Sequence, residues 1–258
     1  MKYNRLLLAW IIALGFIAFG LLANWYLVCV WAAQPTSPVV VNPYQALYDD
    51  LLYPSVRITT DDGIGSGVII NHGDTENIYI LTAGHVVGNE ALVSVELFGS
   101  TESLPAFVVA TDTGKDLALL KLIPLNPHNL RFHTANLAAK DYVPYIFTPV
   151  WVIGCSLGYA PRPTEGTITA LSDLRDSVVN YWEMNAPIWP GNSGGGVFLK
   201  DTHELIGIAV WVKVCHGQLA DTMGGIVPLQ TIYEFLEGTK AQGDKETEAQ
   251  SKKGIEGR

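Results

Sequence analysis

The chain has 258 residues, 48% hydrophobic and only 16% charged, with a formal net charge of -9 and a mean hydropathy of +0.22. Three cysteines are too few for a disulfide-framed scaffold, and the low charge argues against a largely disordered chain. The acidic balance, with no Lys/Arg cluster outside the C-terminal tail, argues against a nucleic-acid partner.

The apolar residues are unevenly placed. Leu6 to Ala33 is a run of 28 residues, 25 of them apolar, the exceptions being Gly15, Gly20 and Asn24. The remainder is about 43% hydrophobic, which is ordinary for a globular body. No second long apolar run exists, so a polytopic membrane protein is excluded. As a helix the run would be about 42 Å long against a hydrocarbon core of about 30 Å, enough to span with some tilt. Lys2 and Arg5 precede it, and no Lys or Arg follows until Arg57. This bias puts residues 1–5 in the cytoplasm and the body in the periplasm or another exoplasmic space. Trp25, Tyr26 and Trp31 suit an aromatic belt at the outer end. The rival reading is a cleaved signal peptide, whose apolar region is usually about 7–15 residues. The greater length here, and the poor cleavage match Val30-Trp31-Ala32, favour an uncleaved transmembrane anchor at 6–33.

Residues 34–52, with Pro35, Pro38 and Pro43, read as a linker. Short β-rich runs follow at Val56–Thr60, Gly67–Ile70, Ile78–Thr82, Leu92–Leu97, Ala106–Ala110 and Leu117–Ile123. A second set comprises Pro149–Gly154, Gly166–Ala170, Tyr181–Asn185, Gly195–Leu199, Leu205–Val214 and Gly224–Pro228. Two groups of six short strands, about 53–125 and 145–228, predict an all-β body of closed barrels or a sandwich. A short helix is predicted over Leu229–Leu236, ending a domain at 53–238. The tail 239–258 is polar and lacks aromatics, and is expected to be disordered. Its last residues, Ile255-Glu256-Gly257-Arg258, match the factor Xa site used to remove affinity tags and are set aside.

Three local patterns carry chemistry: Thr82-Ala83-Gly84-His85, a His after a strand; Lys115-Asp116-Leu117-Ala118, an Asp opening a strand; and Gly191-Asn192-Ser193-Gly194-Gly195, a Ser in a glycine turn before a strand. A serine hydroxyl is a poor nucleophile at neutral pH. It needs an imidazole to take its proton and a carboxylate to fix the imidazole tautomer. The tetrahedral intermediate needs N–H donors aimed at its oxyanion, and a glycine turn can present them. His85, Asp116 and Ser193 can fill these roles, with the N–H groups of Gly191 and Ser193 as the oxyanion hole. Asp112 is the nearest substitute for Asp116. Gly154-Cys155-Ser156-Leu157-Gly158 also has the Gly-x-Ser-x-Gly spacing, but no predicted helix follows it, so Ser156 reads as structural. His72, His128, His133, His203 and His216 show no metal-ligand spacing, and the chemistry requires neither metal nor cofactor.

The order His85, Asp116, Ser193, the motifs around them and the two β-rich halves resemble serine proteases of the chymotrypsin fold, and among them the HtrA/DegP group. Gly63-Ile64-Gly65-Ser66-Gly67-Val68, Val152-Ile153-Gly154, Gly166-Thr167-Ile168-Thr169 and Glu204-Leu205-Ile206-Gly207 extend the likeness over about Tyr53 to Glu237. The resemblance implies two six-stranded β-barrels, peptide-bond hydrolysis and a homotrimer. Two features depart from the wider pattern. Only a polar tail follows Leu236, so the PDZ domain usual in HtrA proteins is not expected. Asn192 lacks the charge that would pair with a new N-terminus, so activation by propeptide cleavage is not expected either.

Pro187, the sixth residue before Ser193, is followed by Ile188 and Trp189, and the opposite wall by resemblance holds Val210. With no acidic residue there, Ile188, Trp189 and Val210 imply a pocket for small or medium hydrophobic side chains. The competing reading makes Ile188 and Val210 ordinary core residues. Cys155 and Cys215 fall near the Ser193 turn by resemblance, and either a disulfide or two free thiols fits. The sequence thus predicts a membrane-tethered serine endopeptidase acting on polypeptides in quality control or processing. The rival from another class is a non-catalytic protein-binding module on a protease fold.

Overall fold

The structure, a computed structural model, describes residues 10, 19–26, 42–73, 77–123, 132–171, 181–215 and 218–240. Residues 1–43 and Tyr44–Arg258 form two separate units. In the first, residues 19–26 are helical. Most of the expected anchor, with Cys29 and Trp31, lies outside the described residues. Among the described residues no helix is long and apolar enough to cross a membrane. The expected tail from residue 241 also lies outside them.

The second unit holds β1 (Ser55–Thr59), β2 (Ile64–Ile70), β3 (Tyr79–Thr82), β4 (Leu92–Leu97), β5 (Ser103–Asp112) and β6 (Leu117–Leu122). These close into one barrel in the order β1-β2-β3-β6-β5-β4. Then come β7 (Pro149–Gly154), β8 (Arg162–Leu171), β9 (Trp182–Met184), β10 (Gly196–Leu199), β11 (Leu205–Cys215) and β12 (Gln218–Pro228). They close in the corresponding order, β7-β8-β9-β12-β11-β10. The two six-stranded barrels expected by resemblance are therefore present, and the sandwich alternative is not. The C-terminal helix is also present, but it runs over residues 229–240, four residues further than expected.

Three apolar cores explain the strand patterns. Val56, Ile58, Ile80, Val95, Leu104, Ala118 and Leu120 fill the first barrel. Val150, Val152, Ile168, Trp182, Val197 and Ile226 fill the second. A third cluster takes the opposite strand faces, Val68, Leu81, Leu117 and Leu119 from the first barrel with Ile153, Phe198, Ile208 and Val227 from the second. This seam is why β6 reads as a nearly continuous apolar run. Ala118 and Leu120 point into their own barrel, whereas Leu117 and Leu119 point across it. Ile232 and Phe235 of the C-terminal helix join the same cluster. At the other end of the unit, a one-turn helix Gln45–Leu47 continues into a π-helical turn, Tyr48–Leu52. Its Asp50 Oδ2 meets His203 Nδ1 at 2.8 Å, in the turn before β11.

Candidate active site

The first barrel supplies two of the three expected groups from adjacent strand ends. β3 and β6 pair Thr82 with Ala118, which brings the segment after β3 beside the segment before β6. His85 sits on the single helical turn Gly84–Val87 that follows β3. Asp116 adopts a φ of +54°, a left-handed conformation that aspartate tolerates better than most residues. Its Oδ2 lies 2.8 Å and its Oδ1 3.1 Å from His85 Nδ1. The His85 backbone N–H also donates to Oδ1, at 2.9 Å. Two carboxylate oxygens facing Nδ1 call for the proton there, which leaves the Nε2 lone pair free to accept. Asp112 is otherwise engaged. Lys115 Nζ donates to it at 2.8 Å, and this hydrogen bond is the main cause of a carboxyl pKa below its ordinary value.

The second barrel supplies Ser193 and the two N–H groups expected beside it. Ser193 lies between β9 and β10, in a turn whose backbone only glycine fits. Gly191 has a φ of +97°, and a Cβ there would lie 2.3 Å from Cys155 O. Gly194 has a φ of +84°, and a Cβ there would lie 2.1 Å from Ser66 O. In a trans peptide the C=O and N–H point to opposite sides. Pro190 O accepts the Leu157 N–H at 2.7 Å, which turns the Gly191 N–H away. Asn192 O accepts the Gly195 N–H at 2.9 Å, which turns the Ser193 N–H away. Neither N–H has an acceptor among the described residues, so both remain available to a ligand.

One first-barrel residue fixes this turn. The Ser66 N–H donates to Ser193 O at 2.8 Å, and Ser66 Oγ donates to Gly191 O at 2.6 Å. Ser66 Oγ in turn accepts the Cys155 N–H at 2.8 Å. Ser66 therefore holds the carbonyls on both sides of Asn192 from across the seam. Asn192 is fully buried and accepts Ser156 Oγ at 2.6 Å through its Oδ1. Ser66 was visible in the sequence within Gly65-Ser66-Gly67, but only as a strand signal. Its long-range partners carry no local pattern.

His85, Gly191 and Ser193 line one cleft of about 250 Å³, with Thr60, Ile64, Val86 and Pro190 among its walls. Ser193 Oγ rests on Val210 O at 3.3 Å, and no hydrogen bond joins it to His85 among the described residues. Of the expected pocket residues, none lines the cleft. Ile188 and Val210 are buried in core clusters, and Trp189 is 40% exposed. Ile188 Cδ1 occupies space that a side chain at Gly224 would need, 2.3 Å from where that Cβ would be.

Cys155 is a free, fully buried thiol, so the pairing with Cys215 is not made. Its Sγ faces Val56 O at 3.6 Å under β1, and burial pushes its pKa up to about 11. Cys215 closes β11, five residues past Val210.

The family described as trypsin-like peptidase domain matches residues 65–208, more than half of the chain. A Staphylococcus epidermidis protein named serine protease HtrA-like is 30% identical over 224 residues, which is 82% of this chain and 37% of the relative. Proteins of the same name from Staphylococcus haemolyticus and Staphylococcus aureus are 27% and 26% identical, over 73% and 82% of this chain and 30% and 28% of their own. The chain therefore spans between 28% and 37% of the length of these relatives. The solved structure of the HtrA-type protease AlgW, a variant with a tripeptide, shares the fold. Its TM-score is 0.63 at 24% identity, covering 75% of this chain and 62% of that one.

Proposed function

Because this chain belongs to the trypsin-like peptidase family, with HtrA-like serine proteases among its relatives, we propose that it is a membrane-tethered serine endopeptidase. The observation that carries the reading is His85, paired with Asp116 at 2.8 Å, sharing a cleft with Ser193 and the unspent N–H groups of Gly191 and Ser193. Ser193 Oγ attacks the peptide carbonyl and passes its proton to His85 Nε2. Asp116 holds the imidazole and stabilises its cationic form. The Gly191 and Ser193 N–H groups bind the oxyanion. His85 then protonates the leaving amine, and water admitted by the same base resolves the acyl-enzyme.

The preference proposed for the residue before the scissile bond is small or medium and hydrophobic. The support is the apolar character of Ile188 and of Val210, whose carbonyl lies 3.3 Å from Ser193 Oγ. The apolar run 6–33 tethers the enzyme with its body on the exoplasmic side, acting on polypeptides within reach in quality control or processing, as a homotrimer. A fluorophosphonate probe tests the activity. Labelling is expected at Ser193 and lost in Ser193→Ala. No labelling of the folded chain under any condition would instead support the binding module, a reading favoured only by the rest position of Ser193 Oγ on Val210 O.

A further inference from the structure

The cleft that holds His85 and Ser193 is lopsided. None of the side chains expected around the residue before the scissile bond lines it, and Ser193 Oγ rests on the carbonyl of one of them, Val210. Thr60, Asp62, Ile64 and Val86 of the first barrel join His85 in its walls, whereas the second barrel gives only the Ser193 turn. In the proposed mechanism the acyl group stays on Ser193, and His85 protonates the amine that departs. The departing half of the peptide therefore needs room beside His85, and the first-barrel side of the cleft offers it.

The chemistry of that side is mixed. Ile64, 43% exposed, and Val86 present apolar surface. Asp61 and Asp62 form the tip of the tight turn between β1 and β2, which the Thr60 N–H closes by donating to Gly63 O at 2.9 Å. The turn is tied down, since the Asp61 N–H donates to Glu90 Oε1 at 2.8 Å. The Asp62 carboxylate itself has no hydrogen-bond or ion-pair partner among the described residues. Apolar surface beside an unpaired carboxylate matches a lysine or arginine side chain, whose methylene stem packs on the one while its cation reaches the other. A second cavity of about 440 Å³ shares Thr60 with the cleft and adds Asp61 and Glu90. Among the described residues no lysine or arginine lines either cavity, so no cation in their walls offsets the carboxylates.

Resting on the serine endopeptidase reading above, we propose that this cleft seats the departing half of the substrate and that Asp62 selects a lysine or arginine within the first two residues after the scissile bond. The test uses the full chain and internally quenched peptides that share one acyl half. Each of the two positions after the scissile bond carries in turn arginine, its neutral isostere citrulline, or glutamate. At one of them kcat/KM is expected to favour arginine over citrulline by roughly three- to fivefold and over glutamate by about tenfold, less so at high salt. Asp62→Asn should bring the arginine-to-citrulline ratio to about one. Asp141→Asn, which removes the same charge from an exposed residue that lines neither cavity, should leave that ratio as it is. Turnover with no preference for arginine, a preference that survives Asp62→Asn, or one that falls equally in Asp141→Asn overturns the role of Asp62 and leaves the endopeptidase standing. No turnover of any peptide, together with no fluorophosphonate labelling, overturns both.

Discussion

The first barrel closes as β1-β2-β3-β6-β5-β4, and the second repeats that order six strands later, yet the two hold different halves of the site. In the first, His85 and Asp116 stand on neighbouring strand ends and are bonded to each other in the resting molecule. In the second, Ser193 and the free N–H groups sit in a glycine turn whose shape depends on Ser66 of the first barrel and on Leu157 between β7 and β8. The first half is self-sufficient, whereas the second is held in place. On the proposed mechanism, catalysis would be a property of the seam as much as of either barrel.

The largest effects should come from breaking either half outright. Ser193→Ala and His85→Ala are each expected to lower kcat by roughly 10⁴-fold or more on a peptide ester, with the double variant little worse, because the two act as a unit. Asp116→Asn should cost about 10⁴-fold by favouring the wrong imidazole tautomer. Next comes the tie between the halves. Ser66→Ala removes the donor to Gly191 O and the acceptor for the Cys155 N–H. A loss of roughly 10- to 100-fold in kcat, with KM nearly unchanged, is expected, since the distorted donors matter most in the transition state. A rise in KM alone would mean that Ser66 serves substrate binding instead.

Ile188→Ala probes the second barrel alone. It should cost about 3 kcal/mol of stability, read from denaturant unfolding, because it leaves a cavity in the core. It should also shift cleavage of a peptide library toward larger hydrophobic residues by roughly tenfold. The smallest effect is expected outside the site. Phe147→Asn relieves the strain of a left-handed φ of +74° and should raise stability by about 1 kcal/mol, a rise of a few degrees in Tm, with peptide hydrolysis in solution unchanged.

What the sequence revealed follows the range of the interactions involved. The strand centres were legible because apolar residues mark them. The ends were not. β5 was expected at Ala106–Ala110 and runs Ser103–Asp112, and β12 was expected from Gly224 and begins at Gln218. These extensions include polar residues such as Ser103, Asp112, Gln218 and Asp221, which leave no apolar signal. Each of His85, Asp116 and Ser193 was found through a short motif around it. The clamp on the oxyanion turn escaped notice because Ser66 and Gly191 are 125 residues apart. The pocket was not legible for a similar reason. Ile188 and Val210 are adjacent to the turn in sequence or by resemblance, but their side chains pack into cores.

The central claim is that the two halves meet around one reacting carbon. A crystal structure of the chain with a peptide boronate tests it most directly. The expected result is boron bonded to Ser193 Oγ, one boronate oxygen about 2.7–3.1 Å from both the Gly191 and Ser193 N–H nitrogens, and His85 Nε2 within hydrogen-bond reach of another oxygen. Boron bonded elsewhere, or a boronate oxygen turned out of the Gly191–Ser193 hole, would contradict it.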